Sequence, residues 1–569
     1  MCGILGGNNK MWNYVDGISC MRHRGPDDVR VKHMDDFVLA FSRLSIIDLT
    51  SNGMQPMFDR GQDVGIVYNG EIYGYQKLRG QLIRRGHIFQ SDSDTEVILN
   101  AYLEWGDKFI DRIDGMFGMA IYDKRQKKIK LYRDRMGIKP LYFYCDGSDF
   151  GFSSELKGIE KMCRGKTLVK DNTAIYDYLT YGYVPEPKTY YKNVFKLEPA
   201  HMLIYDLNTN RIEKKGSYWK LRTNGTRERK RDQRELMEET KSLIQEAVRE
   251  QMISDVPVGT FLSGGVDSSI ITYECSKINA DINSFSIGFR DKTCDETKFA
   301  DILADRYFLN NQIEYFDYAM LRKNYNKMKT WYDEPFADTS AFPTYLVSDM
   351  AKKRVGVVLT GDGGDEVFGG YEKYQFILKK DRECGPDNYL CSNIYQLVKR
   401  RILKKKRYLW DYYFLDDLSL YTLYTSGETK ASDAAVRKKL GIDQEYDRYW
   451  HVRKYYHKEL PPITRWQYLD LKTYLPGDIL TKVDRASMAV SLEARVPLLS
   501  TKIVEFAFSL SEEDRCPLGV LKGLLKKAYR DEIGEEIAYR KKQGFAIPYS
   551  YNEVRDSVKE DMLANLFGF

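Results

Sequence analysis

Cys2 stands directly behind Met1, so removal of that methionine leaves a thiol and a free α-amine on one residue. An α-amine titrates near neutrality, far below a lysine, and can take the thiol proton with no histidine at hand, as amino-terminal nucleophiles do. By itself a second-position cysteine is more often incidental, and three further groups change that. Arg43 follows a predicted strand at 37–41, where its fork can clamp a carboxylate through two parallel hydrogen bonds. Asn69-Gly70 leaves a second predicted strand and sets an amide beside a backbone N–H, the donor pair an oxyanion needs. Asp94 lies at a predicted helix start, where it either caps the helix or holds an ammonium group. Nucleophile, carboxylate clamp, oxyanion donors and ammonium anchor together describe hydrolysis of the glutamine side-chain amide.

A second set of residues points to nucleotide chemistry. Ser263-Gly264-Gly265-Val266-Asp267-Ser268-Ser269 follows one predicted strand and opens a helix, so free backbone N–H groups, the helix N-terminus and serine hydroxyls can surround phosphate oxygens. The loop lacks the lysine of the G-x-x-x-x-G-K-S/T phosphate loop and carries an aspartate instead. Thr360-Gly361-Asp362-Gly363-Gly364-Asp365-Glu366 follows another predicted strand. Its glycines allow close approach of backbone to ligand, and its carboxylates suit Mg²⁺ bound through oxygen.

These residues need two kinds of scaffold. Up to about residue 210 the pattern is short β-type runs, at 37–41, 65–68, 116–122, 129–132 and 141–144, with a hairpin turn at 146–149 and a helix entered through Ser93-Asp94-Thr95. This half reads as packed sheets with helices outside. Residues 211–235 read as a polar connection centred on Asn224-Gly225. Beyond it Leu236, Thr240, Leu243, Ile244 and Val248 recur at helical spacing. Apolar strands at 256–262, 284–289 and 355–359, separated by helices, imply a parallel α/β sheet whose strand ends carry both phosphate-type loops. Residues 375–460 are Tyr- and Lys-rich and helical in pattern; the basic run at 399–407 reads as a solvated helix face, with contact to an anionic surface the alternative.

Composition sets the outer bounds. A chain of 569 residues is too long for one core, and 43% apolar with 30% charged residues is the balance of a globular enzyme. The 88 basic side chains are nearly matched by 82 acidic ones, leaving +6, so no global field favours nucleic acid. Nine cysteines without a C-x-x-C pair indicate neither a disulfide framework nor a zinc cluster and fit a reducing, cytosolic setting. No apolar run approaches membrane-spanning length.

Cys2-Gly3-Ile4, Arg22-His23-Arg24-Gly25-Pro26-Asp27, Arg43-Leu44-Ser45-Ile46-Ile47-Asp48, Tyr68-Asn69-Gly70-Glu71-Ile72-Tyr73 and Ser93-Asp94-Thr95-Glu96 resemble the class II glutaminase domain of glutamine-hydrolysing asparagine synthetases. The loop at 263–269 resembles that of enzymes splitting ATP between its α- and β-phosphates. The segments 474–485, 491–497, 522–526 and 541–545 extend the likeness over nearly the whole chain apart from 375–460. The resemblance implies an N-terminal Ntn-hydrolase αββα sandwich over 2–210, a linker at 211–235, and a Rossmann-like parallel α/β synthetase domain over 236–569. It implies Cys2 as nucleophile, Asn69 and Gly70 at the oxyanion, Arg43 on the glutamine carboxylate, and Glu71 with Asp94 near its amino group. ATP would bind along Leu262, Ser263, Gly264, Gly265, Asp267, Ser268, Ile287, Thr360 and Gly361, with Asp267 and Asp365 holding Mg²⁺. Lys522 would steady the adenylation and amide-forming transition states. Asp362, where some asparagine synthetases carry Glu, lies by the acceptor site, and Gly74 stands where the family often has Asn. Aspartate is the favoured acceptor, with another carboxylate, such as a sugar uronic acid or a peptide side chain, as the alternative. Relatives imply a homodimer, with neither nucleic acid nor membrane as a partner.

Overall fold

The computed structural model describes residues 1–226, 231–290, 295–316, 320, 327, 330–384, 415–426 and 433–541. The basic run at 399–407 and the segment 542–545 lie outside the described residues. Two antiparallel sheets build the first half. One runs Val194–Lys196, Tyr142–Cys145, Phe150–Ser153, Gly3–Gly7, Val38–Arg43, Asp28–His33 from edge to edge. The other runs Arg211–Ser217, His201–Asp206, Lys128–Arg133, Gly115–Asp123, Val64–Ile72, Met57–Phe58.

Side chains alternate between the faces of a strand, and the strand sequences sort accordingly. Ile4, Leu39 and Phe41 of the first sheet meet Val67, Ala120 and Leu131 of the second in a core between the sheets. Leu5, Val38 and Ala40 point the other way, onto the helices Tyr14–Ser19, Leu156–Met162 and Asn172–Tyr181. Ile66 and Tyr68 face the helices Tyr75–Arg84 and Asp94–Trp105. The layers are therefore helix, sheet, sheet, helix. The alternation also fixes two site residues: Cys2 shares the inner face with Ile4, and Asn69 shares it with Val67.

The second half holds a five-stranded, all-parallel sheet in the order Asn310–Phe316, Asn283–Phe289, Val258–Phe261, Val357–Leu359, Glu493–Arg495. Both faces are covered, one by Val266–Ile278, Thr297–Tyr307 and Gly523–Ile533, the other by Ala341–Lys352 and Leu480–Met488. From Val258–Phe261 the chain adds strands on one side and then returns to place Val357–Leu359 on the other. That reversal is a topological switch point, where crevices open at the carboxyl ends of strands.

Arg211–Ser217, which the sequence pattern placed in the connection, is an edge strand paired with His201–Asp206. Six of its seven residues are exposed, so the alternation that betrays a half-buried strand is absent. Gln233–Gln251 forms the expected helix, capped by the Asp232 carboxylate on the N–H groups of Arg234 and Glu235. Met1, Met116 and Ile138 of the first half share one core with Leu480 and Val496 of the second, so the two halves are joined by packed apolar surface. Among the described residues no helix is long and apolar enough to cross a membrane.

Candidate functional site

Cys2 enters its strand at the open end of the sandwich. Its backbone N–H donates to Asn69 Oδ1 at 3.0 Å, and Leu44 N–H donates to Sγ at 3.5 Å. Burial pushes the thiol up, against the opposing pull of the chain's ammonium group and of Leu44 N–H. Met1 is attached and buried, and its ammonium lies 3.1 Å from Glu493 Oε2. Its removal would convert the Cys2 amide nitrogen into an amine held by the same Asn69 oxygen. Asn69 is fully buried, yet among the described residues its Nδ2 has no hydrogen-bond partner. A buried amide donor left unmade costs about 1–3 kcal/mol, and an oxyanion at that point would satisfy it. Gly70 is closed in from behind: a Cβ there would overlap Met116 O and the Phe117 backbone.

Acidic groups crowd the far side of this pocket. Asp94, first residue of its helix, accepts from Tyr68 OH at 3.0 Å and Ile72 N–H at 3.1 Å, and burial raises it to about 6. Burial, then Asp94 and Glu493, push Glu71 well above the usual carboxylate range. The guanidinium of Arg495 stands 3.7 Å from Glu71 and 2.7 Å from Glu493. Against burial, the chain's ammonium and Arg495 hold Glu493 down at about 2. Three buried carboxyl groups thus gather by the Arg495 guanidinium and the chain's ammonium, with Lys139 also acting on Glu493. Arg43 differs from expectation. Its two arms donate to Thr50 O, at 2.6 Å, and to Asp48 O, so the fork is turned onto the loop beside it rather than held open. Gly74 is the N-cap of its helix at φ +64°, a left-handed conformation that favours glycine.

The second site is a cavity of about 600 Å³ at the switch point. Its wall includes Ser263, Gly265, Asp267, Ser268, Thr360, Gly361, Asp362, Asp365 and Lys522. Leu262, Gly264 and Ile287 are not part of it: Leu262 is wholly buried in the core under the sheet, and Ile287 packs on the opposite face. The two loops touch, since a Cβ on Gly361 would stand 2.6 Å from Ser268 N and 2.8 Å from Asp267 Cβ. Lys522, buried and at φ +54°, sends its ammonium between Asp267 and Asp365, 2.7 Å from the latter. Despite burial, Asp267 and Asp365 raise its pKa. A Cβ on Gly364 would overlap the Asp267 carboxylate, and one on Gly370 the Asp365 carboxylate and the Lys522 stem. The glycines thus keep open a cradle of two hard oxygen ligands converging on one cation, which fits Mg²⁺ held by one or two carboxylates and phosphates.

In the same cavity wall Lys482 lies 3.1 Å from Asp338. Despite burial, Asp338, Asp478 and Asp362 raise its pKa. Burial raises Asp362, whose carboxylate accepts from Thr360 Oγ1 at 2.7 Å. Burial and Asp365 raise Glu366 to about 7, with Tyr371 donating to it at 2.6 Å. Sequence reasoning missed Asp338, and quoted Leu44, Lys482, Glu366, Glu493 and Arg495 within motifs without giving any of them a role of its own. The last two belong to a strand of the second half whose Arg495 carbonyl accepts from Thr360 N–H at 2.9 Å. One three-residue strand therefore borders both sites.

The chain matches the asparagine synthase family over residues 239–567 and the glutamine amidotransferase domain family over residues 1–219. It is 32% identical to glutamine-hydrolyzing asparagine synthetase 1 of Bacillus subtilis over 98% of this chain and 89% of that protein. It is 40% identical to a putative glutamine-hydrolyzing asparagine synthetase 2 of Methanocaldococcus jannaschii, over 65% of this chain and 76% of that one. A putative glutamine-hydrolyzing asparagine synthetase of Mycobacterium bovis is 30% identical over 93% and 83%.

Proposed function

The chain belongs to the glutamine-hydrolysing asparagine synthetase family, a glutamine-dependent carbon–nitrogen ligase family, and from that premise we propose that it converts aspartate into asparagine. The first half is the glutaminase. The Cys2 thiol, its proton passed to the amine exposed by loss of Met1, attacks the glutamine amide carbon; Asn69 Nδ2 receives the oxyanion. Ammonia leaves, and water cleaves the thioester to glutamate. The acidic pocket of Glu71 and Asp94 receives the glutamine ammonium, and Arg43 takes its carboxylate once released from the Asp48 and Thr50 carbonyls.

In the second half the aspartate side-chain carboxylate attacks the α-phosphorus of ATP and pyrophosphate leaves. Ammonia then attacks the acyl carbon and AMP leaves. Asp267 and Asp365 would hold Mg²⁺, which supplies charge neutralisation on the phosphates. Lys522 adds a fixed ammonium beside the same oxygens, and Glu366, near 7, takes the proton shed as the amide forms.

The observation that carries aspartate as acceptor is the charge around Lys482. Asp338, Asp362 and Asp478 set three carboxyl groups around its one ammonium, each of them partly buried, and burial raises Asp362 and Asp478. Such a pocket pairs with a substrate bearing an ammonium as well as a carboxylate, which aspartate has and an unmodified uronic acid lacks. Purified enzyme given ATP, Mg²⁺, ammonia and aspartate should release AMP and asparagine in equal amounts. No aspartate-dependent AMP would transfer the reading to another carboxylate.

The unpaired Asn69 donor gives a separate expectation. Asn69→Ala should lower kcat for glutamate release about 10²–10³-fold with KM little changed, since the lost donor acts on charge that develops in the transition state. A rise in KM with kcat preserved would show that Asn69 binds ground-state glutamine instead.

A further inference from the structure

Glutamine hydrolysis is wasteful unless ammonia has an acceptor waiting, and one helix touches both sites. Leu480–Met488 follows a single π-helical turn, Leu475–Ile479, of a kind that recurs at functional sites. At its start Lys482 and Val483 form part of the wall of the nucleotide cavity. The next two residues face the other half of the chain. Asp484 takes both arms of Arg24, at 2.8 and 3.0 Å, and Arg24 Nε donates to the carbonyl of Cys2 at 3.2 Å. Arg485 reaches Glu155 at 2.8 Å, and Glu155 also accepts from Arg24 at 2.8 Å. Arg24 and Glu155 are completely buried and Asp484 nearly so, which keeps these pairs from being screened.

The geometry makes Arg24 a rigid bracket. A planar guanidinium fixes the carboxylate and the carbonyl in one plane, so a shift of Asp484 must move Arg24, and with it Cys2. Cys2 lies just ahead of Gly3, where the pairing of its strand begins, so the sheet itself does not fix it. The interface also has slack: a void of about 20 Å³, room for one water, lies against Leu480, Thr481, Asp484 and Arg485. We infer that the Asp484–Arg24–Cys2 chain links the two sites, so that filling of the nucleotide cavity, felt through the Leu480–Met488 helix, aligns the nucleophile. Arg24 and Asp484 are positioning residues here, and the inference rests on the reading of Cys2 as the glutaminase nucleophile.

The test measures alkylation of Cys2 by the glutamine analogue 6-diazo-5-oxo-L-norleucine, with and without ATP and Mg²⁺. ATP should accelerate alkylation of the unaltered enzyme at least about fivefold, the lower end of ordinary coupling between sites. Asp484→Asn should lose most of the acceleration, read as the ratio of the rates with and without ATP in one preparation. Lys139→Met removes a second cation near Asp484, 3.6 Å away, and should keep the acceleration. Equal acceleration in the Asp484→Asn and unaltered enzymes, or none in the unaltered one, would overturn the link. Should Asp484→Asn lose thermal stability, the double variant Arg24→Gln with Asp484→Asn, which leaves no buried charge unpaired between them, is read by the same criterion. AMP release from ATP, ammonia and aspartate in the same preparations judges the synthetase reading separately, because it does not use Cys2.

Discussion

Cys2→Ala should abolish glutamine-dependent amide formation and leave synthesis from added ammonia intact. The thiol is the one nucleophile the first site offers: Leu44 N–H points at it, Asn69 stands ready for the oxyanion, and no histidine touches it among the described residues. Removing a covalent nucleophile of this kind costs about 10⁴–10⁶ in turnover, beyond what the remaining donors recover. The substitution is small and its site only partly buried, so the packing that joins the halves is preserved. Glutamate release, and amide formation from glutamine and from ammonia in parallel, provide the measurement. Loss of both synthetic activities would mean that the two sites are not separable, and the two-site account would fail.

The chemistry of this site was legible because each half of it announces itself within a few residues. Strand alternation from Ile4 to Cys2 and from Val67 to Asn69 follows from sequence once the strands are recognised, and the Ser93 cap marks the helix that carries Asp94. What closes the pocket was not legible. Glu493 and Arg495 come from a strand of three residues, two of them charged, which no hydrophobic period can reveal. They matter only because the second half docks against the first, and that docking is written in scattered positions such as Met1, Met116, Leu480 and Val496. Asn310–Phe316, a polar edge strand, escaped for a similar reason.

Arg43 shows the opposite limit. Its residue type and place suggested an open carboxylate clamp, yet the guanidinium satisfies itself on the nearest carbonyls, Asp48 and Thr50. Five fixed donors in a buried setting take whatever acceptors the loop supplies. Sequence therefore singled out the group while leaving its resting partner unread. In the second half the two glycine loops were legible and the Asp338–Lys482 pair was not, since these residues are 144 positions apart and meet only through the helix packing of Ala341–Lys352 on Leu480–Met488.

Lys522→Ala should eliminate AMP formation while glutamate release continues. The residue is no surface lysine. It is 5% exposed, sits at φ +54° ahead of the Gly523–Ile533 helix, and is fixed by its N–H to Gly369 O at 3.1 Å. Its ammonium is the cation shared by Asp267 and Asp365, so the substitution removes the positive charge between those two carboxylates. A cation placed on phosphoryl oxygens contributes about 10³–10⁵ in rate, and the expected loss in pyrophosphate release falls in that range. Lys522→Arg separates charge from fit. The compact ammonium sits between two carboxylates, and a guanidinium, planar and broader, cannot take that one point while the stem is held close beside Gly370. The arginine variant should therefore fail nearly as badly as alanine despite its charge. Full activity in Lys522→Arg would show that any cation suffices and that the cradle's shape is unimportant. Activity preserved in Lys522→Ala would remove Lys522 from the synthetase machinery altogether.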